Sequence, residues 1–147
     1  MRLECTVAER HPPHAVISLG RLGVVRVAKK RILLVDDDDD VRELLALALR
    51  SEGYLVDVAA STARALVSLT SSAYSLVIAD WRLPDGDGTL VANFAEQRGA
   101  KALVMSGYLF HMPSNRIDHR QTLMKPVPPS ELVAAVRGCI GRPERSA

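Results

Sequence analysis

The stretch Ile32-Leu33-Leu34-Val35-Asp36-Asp37-Asp38-Asp39-Asp40 sets four branched apolar residues directly before five carboxylates. A short apolar run without polar alternation suits a strand buried on both faces of a parallel sheet. Two carboxylates about 4 Å apart repel by roughly 4 kcal/mol at an effective dielectric near 20, so acids gathered at the end of such a strand need a cation. A hard divalent ion such as Mg2+, which takes oxygen ligands, supplies it. The same acids also fit a solvated loop opening a helix, where negative charge suits the N-terminal end of the helix dipole. Asp36 and Asp37, nearest the strand, are therefore read as metal ligands, Asp38 as the outer rim of the site, and Asp39 and Asp40 as the start of the first helix.

Outward from this run, from Lys30 onward, short branched stretches alternate with stretches of helical period, the pattern of a parallel sheet covered on both faces. The first strand is Arg31 to Val35. Val41, Leu44, Leu45, Ala48 and Leu49 then recur at helical spacing, with Asp39 or Asp40 placed to cap the start and Gly53 to end it. A second strand is expected over residues 54–59. Ser61 caps a helix to about residue 71 with Ala65, Leu66 and Leu69 inside, and a third strand covers 75–79. Residues 89–97 read as a helix, 102–105 as a fourth strand, and Leu123-Met124 as the close of a short fifth. The last helix begins near Pro129-Ser130 with Leu132, Val133, Val136 and Ile140 on one face. Residues 107–120 contain Pro113 and lack regular apolar spacing, which predicts a degenerate or mobile fourth helix.

The strands stop at Asp36/Asp37, Asp80, Ser106 and Lys125, which converge on one sheet edge. Open parallel sheets place ligands outside the carboxyl ends of their strands, where strand order reverses. An acid pair, an isolated Asp, a small hydroxyl and a lysine form a complete set for moving a phosphoryl group, because such transfer depends on positioning and charge neutralisation. Asp80 is then the nucleophile. Asp36, Asp37 and Asp80 hold Mg2+ with water and one backbone carbonyl, and Lys125 and Ser106 contact the phosphoryl oxygens. Taken singly, Ser106 also reads as a loop hydroxyl, Lys125 as a solvated surface charge and Asp80 as a turn cap. What favours the site is that each falls where a separately predicted strand ends.

Length and charge narrow the choice further. A chain of 147 residues with 48% hydrophobic and 24% charged content fits one soluble domain. Its formal charge of +2 is uneven: residues 1 to 31 hold seven Lys/Arg against two acids, and the remainder twelve against fifteen. The mildly acidic body lacks the basic stripe that direct nucleic-acid binding uses. Cys5 and Cys139 lie far apart, which points to a reduced, cytoplasmic protein, and no apolar run is long enough to span a bilayer. Residues 1–28 are expected to be a basic, loosely ordered extension, or the product of a misassigned start codon, or a basic docking segment. Residues 29–142 form the domain and 143–147 a tail.

The motifs Ile-Leu-Leu-Val-Asp36-Asp37-Asp38, Leu-Val-Ile-Ala-Asp80-Trp-Arg-Leu-Pro84 with Asp87-Gly88, Val-Met-Ser106-Gly107 and Lys125-Pro126 resemble, in family order over residues 30 to 141, the response-regulator receiver domain of bacterial two-component signalling. The resemblance extends to the single-domain chemotaxis receivers. It implies a flavodoxin-like, doubly wound five-stranded parallel sheet of order 2-1-3-4-5. It also implies that Asp80 accepts phosphate from a sensor histidine kinase, that Asp36, Asp37, Asp80 and the backbone carbonyl of Arg82 bind Mg2+, and that Ser106 and Lys125 read the phosphate. An unknown downstream protein would receive the signal, without direct nucleic-acid contact or membrane insertion, and a phosphorylation-dependent dimer is compatible with the family. Self-catalysed dephosphorylation is implied, with Arg82 and Tyr108 flanking the water's approach, rather than turnover of an external substrate. Thr122 stands where the family usually carries a switching aromatic, and Ser-Gly-Tyr108 resembles an atypical branch in which Tyr108 takes over that part; an exposed loop tyrosine is the alternative. Three other readings compete. The chain could be the receiver of a hybrid histidine kinase, or a receiver-like module that no longer accepts phosphate. Asp85-Gly86-Asp87-Gly88-Thr89 also looks like the haloacid dehalogenase phosphatase motif, but Trp81-Arg82-Leu83-Pro84 is a poor strand to precede it. The five-Asp run lacks the central Gly and terminal Glu of a calcium EF-hand.

Overall fold

The computed structural model describes residues 30–107 and 121–143, together with the backbone of residues 17–19 and 25–27. Strands β1 (Ile17–Leu19) and β2 (Val25–Val27) pair antiparallel, with Ile17 opposite Val27. Three residues per strand are too few for a period to register in the sequence. The remainder of the expected extension, the four terminal residues of the tail, Tyr108 and nearly all of the expected fourth-helix segment lie outside the described residues.

From β3 (Arg31–Val35) the chain alternates as its pattern predicts. Helix α1 (Asp39–Glu52) leads to β4 (Leu55–Ala59), and α2 (Thr62–Ser71) leads to β5 (Leu76–Asp80). A two-residue ribbon, β6 (Arg82–Leu83) with β7 (Gly86–Asp87), precedes α3 (Gly88–Gln97). Then follow β8 (Lys101–Ser106), β9 (Gln121–Met124) and α4 (Pro129–Ile140). The main sheet is parallel throughout and ordered β4-β3-β5-β8-β9, which is 2-1-3-4-5 when its strands are counted along the chain. This is the flavodoxin-like topology.

Alternation along the central strands divides the core. Ile32, Leu34, Ile78 and Met105 pack on one face with Leu45 and Leu49 of α1 and Leu132 and Val136 of α4. Leu33, Val35, Val77 and Ala79 pack on the other with Ala65 and Leu69 of α2 and Val91 and Ala95 of α3. Ile32, Leu33, Leu34 and Val35 are all fully buried, which is why the strand reads as an unbroken apolar run. Burying each such side chain stabilises the fold by about 1.5–3 kcal/mol.

Three local expectations change. Helix α1 is capped by Asp38, whose carboxylate accepts from the Val41 N–H, and not by Asp39 or Asp40, which occupy its first turn. Asp38, read from the sequence as a rim residue, is therefore a helix cap. Leu44, expected inside, is 54% exposed, while Leu45 and Ala46 are buried. The stripe facing β3 and α4 centres on Leu45 and Leu49, and Leu44 lies about 100° round the helix from Leu45. Asp80 and Ser106 are the last residues of their strands, one position further into regular structure than expected.

Candidate functional site

The strand order reverses between β3 and β5, because β3 connects to β4 on one side and the chain then crosses to β5 on the other. The carboxyl ends of these two strands hold Asp36 and Asp80. Asp36 is fully buried and held on every side. Its N–H donates to the Ala59 carbonyl at 3.1 Å, Oδ1 accepts from the Asp38 N–H at 2.9 Å, and Oδ2 lies 3.0 Å from Lys125 Nζ. Asp80 is also buried, with Oδ2 3.1 Å from the same Nζ and Oδ1 3.4 Å from the Arg82 N–H. Lys125 follows β9, and its own N–H donates to the carbonyl of Ser106 at 3.0 Å, tying the ends of β8 and β9 together.

One carboxylate oxygen each from Asp36, Asp37 and Asp80 lie within 4.8 Å of one another, two residues buried and Asp37 exposed. Hard, anionic oxygens with one side open to water suit a Mg2+ ion, which keeps part of its hydration shell. The ammonium of Lys125 sits against the same two buried acids, so an entering cation shares Asp36 and Asp80 with it.

The electrostatics follow from this packing. Burial pushes the Asp80 carboxyl above its ordinary value against the opposing charge of Lys125, and the neighbouring Asp36 carboxylate pushes the same way. For Lys125, burial works against the charged form, but the Asp36 and Asp80 carboxylates outweigh it and hold the ammonium above its ordinary value. Lys125 is thus charged, and Asp80 carries the cost of crowding and burial.

The segment after Asp80 is shaped by close approach and capping. A Cβ on Gly88 would stand 2.0 Å from the Asp80 carbonyl oxygen, and the Gly88 N–H donates to the Trp81 carbonyl at 2.7 Å. Asp85, at the tip of the β6–β7 ribbon, accepts from the N–H groups of Thr62 and Ala63 at 2.8 and 2.9 Å. These bonds hold its carboxyl below the usual range. Asp87 caps α3, accepting from the Thr89 N–H at 2.7 Å and the Thr89 hydroxyl at 2.8 Å. Asp85 and Asp87 therefore cap two different helices and do not join the acid cluster, which removes the phosphatase motif as a pair of catalytic acids.

Of the other expected residues, Ser106 is buried beside Lys125 at the end of β8, and Arg82 meets Asp80 through its backbone N–H. Thr122 pairs with Val104 inside β9, its hydroxyl buried without a hydrogen-bond partner among the described residues. Two contributors were missed from the sequence: Arg42, whose guanidinium reaches the Asp36 carbonyl at 2.8 Å, and Asp85 as an anchor to α2. Arg42 carries a weak signal, being the only basic residue between positions 32 and 49.

The model of the response regulator receiver domain matches residues 32–137. The chain belongs to the response-regulator receiver family. Among curated relatives, the receiver is 34% identical over 125 residues to the transcriptional regulatory protein PmrA of Pectobacterium parmentieri, covering 79% of this chain and 54% of that one. The chain spans about half the length of such relatives, which include the DNA-binding response regulator MtrA of Mycolicibacterium smegmatis. Among solved structures, the receiver resembles the CheY-like receiver domain protein of Methanospirillum hungatei with a TM-score of 0.67 and 30% identity, over 76% of this chain and 93% of that one. It resembles Thermotoga maritima TrrA, solved in complex with Mg2+-BeF, with a TM-score of 0.64 and 33% identity, over 75% of this chain and 98% of that one. Receivers are signalling domains, and this one has, among its described residues, no helix long and apolar enough to cross a membrane.

Proposed function

We propose that this receiver accepts a phosphoryl group on Asp80 from a phosphohistidine of a sensor histidine kinase, in the cytoplasm, and signals through a changed protein contact. Asp36, Asp37, Asp80 and the Arg82 carbonyl hold Mg2+. The reading is carried by the buried Asp80 carboxylate at the end of β5, 3.1 Å from Lys125 and in one oxygen cluster with Asp36 and Asp37. Likeness to a receiver solved with Mg2+-BeF supports the metal.

An Asp80 carboxylate oxygen attacks the phosphorus, the bond to the donor imidazole nitrogen breaks, and its electron pair returns to the ring. Mg2+ held by Asp36, Asp37 and Asp80 would supply charge neutralisation for the phosphoryl oxygens. Lys125 moves its ammonium from the Asp80 carboxylate to a phosphoryl oxygen, and the Ser106 hydroxyl donates to another. Desolvation of the Asp80 carboxylate strengthens every one of these interactions. Arg82 borders the route of the water that later hydrolyses the acyl phosphate, and Tyr108 is the family-implied partner that tunes its rate, so no external substrate is turned over. An apolar cleft of about 370 Å³ beside Lys125, lined by Val41, Leu44, Pro126 and Val127, offers a protein donor purchase next to Asp80. The phosphate biases a two-state surface toward a downstream protein or a second copy, with Tyr108 and Thr122 as the switch elements.

A receiver from a hybrid kinase is the second reading, supported by 30% identity and a TM-score of 0.63 to the receiver of the hybrid histidine kinase CckA. The test common to both is a small phosphodonor plus Mg2+, followed by intact-mass analysis. One hydroxylamine-labile phosphate is expected on the purified chain and none on Asp80→Asn. No adduct, or an equal adduct on the variant, removes Asp80 as acceptor.

A further inference from the structure

Five consecutive aspartates need something to hold them in one arrangement, and Arg42 is built into them. Its Nη1 donates to the Asp36 carbonyl at 2.8 Å and its Nη2 to Asp39 Oδ1 at 2.6 Å. Its backbone N–H donates to the Asp38 carbonyl at 2.9 Å. The contact with Asp39 alone would be an ordinary surface pair, worth about 0.3–0.5 kcal/mol at helical spacing. The contact with Asp36 is different in kind. The Arg42 side chain is 16% exposed against 81% for Asp39, so the guanidinium lies inward, on the peptide between two metal-ligand candidates.

That peptide decides where Asp37 points. Asp36 is anchored through its N–H, both carboxylate oxygens and, by Arg42, its carbonyl; Asp38 is anchored through its N–H and its carboxylate. Asp37 sits between these fixed residues, and its exposed carboxylate completes the oxygen cluster. A planar guanidinium can hold a carbonyl and a carboxylate at once, whereas an ammonium is a point charge.

We propose that Arg42 is the positioning residue of this loop: its fork ties the Asp36 carbonyl to Asp39 and holds Asp36 and Asp37 in ligating geometry against their own repulsion. The proposal takes its ligand from the Mg2+ reading above, while the geometry it concerns belongs to the metal-free protein. Charge and position make opposite predictions here. Removing a cation from beside a cation site strengthens metal binding if only charge matters; removing a positioning group weakens it.

The experiment compares the wild-type chain with Arg42→Gln, Arg42→Lys and Asp39→Asn. In the metal-free proteins, amide exchange of Asp38, whose N–H is bonded to Asp36 Oδ1, should speed up markedly in Arg42→Gln and remain near wild type in Asp39→Asn. Mg2+ is then titrated against the emission of Trp81, the one tryptophan and the neighbour of Asp80. Affinity should fall about tenfold in Arg42→Gln, as for other groups that orient ligands. A smaller fall is expected in Arg42→Lys, although its charge is unchanged. Equal or tighter Mg2+ binding by Arg42→Gln, with Asp38 exchange unchanged, overturns the proposal. A wild-type chain with no saturable Mg2+ response removes the metal reading instead, and the Asp38 exchange rates still decide the role of Arg42.

Discussion

Lys125 is the residue on which the site's electrostatics turn, because one ammonium answers two buried carboxylates that otherwise repel each other. Asp80 carries a cost of its own, its carboxyl raised by burial against the pull of Lys125. A carboxyl raised in the folded state stabilises the fold only while protonated. That contribution is complete below the unfolded value and is lost as pH rises through the folded one. Asp80→Asn should therefore unfold at a higher temperature than the wild-type chain at pH 7. The gap should narrow as pH falls through the acid range, where the wild-type carboxyl takes up its proton earlier than an ordinary aspartate. Thermal melts across that range check it, and a variant less stable at pH 7 contradicts the direction. The sequence placed Asp36, Asp37, Asp80, Ser106 and Lys125 at strand ends correctly, since each follows an apolar run. It misplaced the helix cap by one or two residues, because any of three adjacent aspartates satisfies the same local preference.

At the scale of elements, the segment between β5 and α3 is where local sequence and tertiary packing meet most tightly. Gly88 opens α3 directly against the Asp80 carbonyl, and an added methyl would overlap it. Gly88→Ala should cost about 2–3 kcal/mol, because backbone and not a flexible side chain must yield. It should also slow phosphorylation by displacing Asp80. Gly138 inside α4 has, among the described residues and apart from its own helix backbone, nothing within 4 Å of the corresponding position, so Gly138→Ala should stabilise by roughly 0.5–1 kcal/mol through helix propensity alone. Urea denaturation of both variants measures the contrast, and equal effects would show that the clash is relieved elsewhere. Asp85 shows why part of this region was illegible. Its neighbours in sequence suggest a phosphatase motif, and only the approach of α2, 23 positions earlier, reveals its carboxylate as a cap.

At the scale of the molecule, the doubly wound sheet brings acids from two strands and a lysine from a third to one edge, Asp36 and Lys125 lying 89 positions apart. Lys125→Met leaves both buried carboxylates without their cation. The loss should approach the roughly 3–5 kcal/mol of a broken buried pair without reaching it, because Lys125 still touches solvent. Millimolar Mg2+ should restore much of that stability by occupying the same acids. Denaturation with and without Mg2+ checks this, and a variant insensitive to the ion would separate the acid cluster from metal binding. By itself the sequence determined the alternation of strands and helices, the sheet and its buried first strand. Those follow from hydrophobic period, which is local. It also determined which residues stand at strand ends, because the change from apolar run to polar residue is local too. Only the tertiary structure decided that Lys125 bridges Asp36 and Asp80, that Arg42 turns inward onto the Asp36 carbonyl and that Asp85 caps a distant helix. Each of these contacts depends on which elements lie side by side and on how far each helix is rotated. Those are consequences of burying the whole core at once.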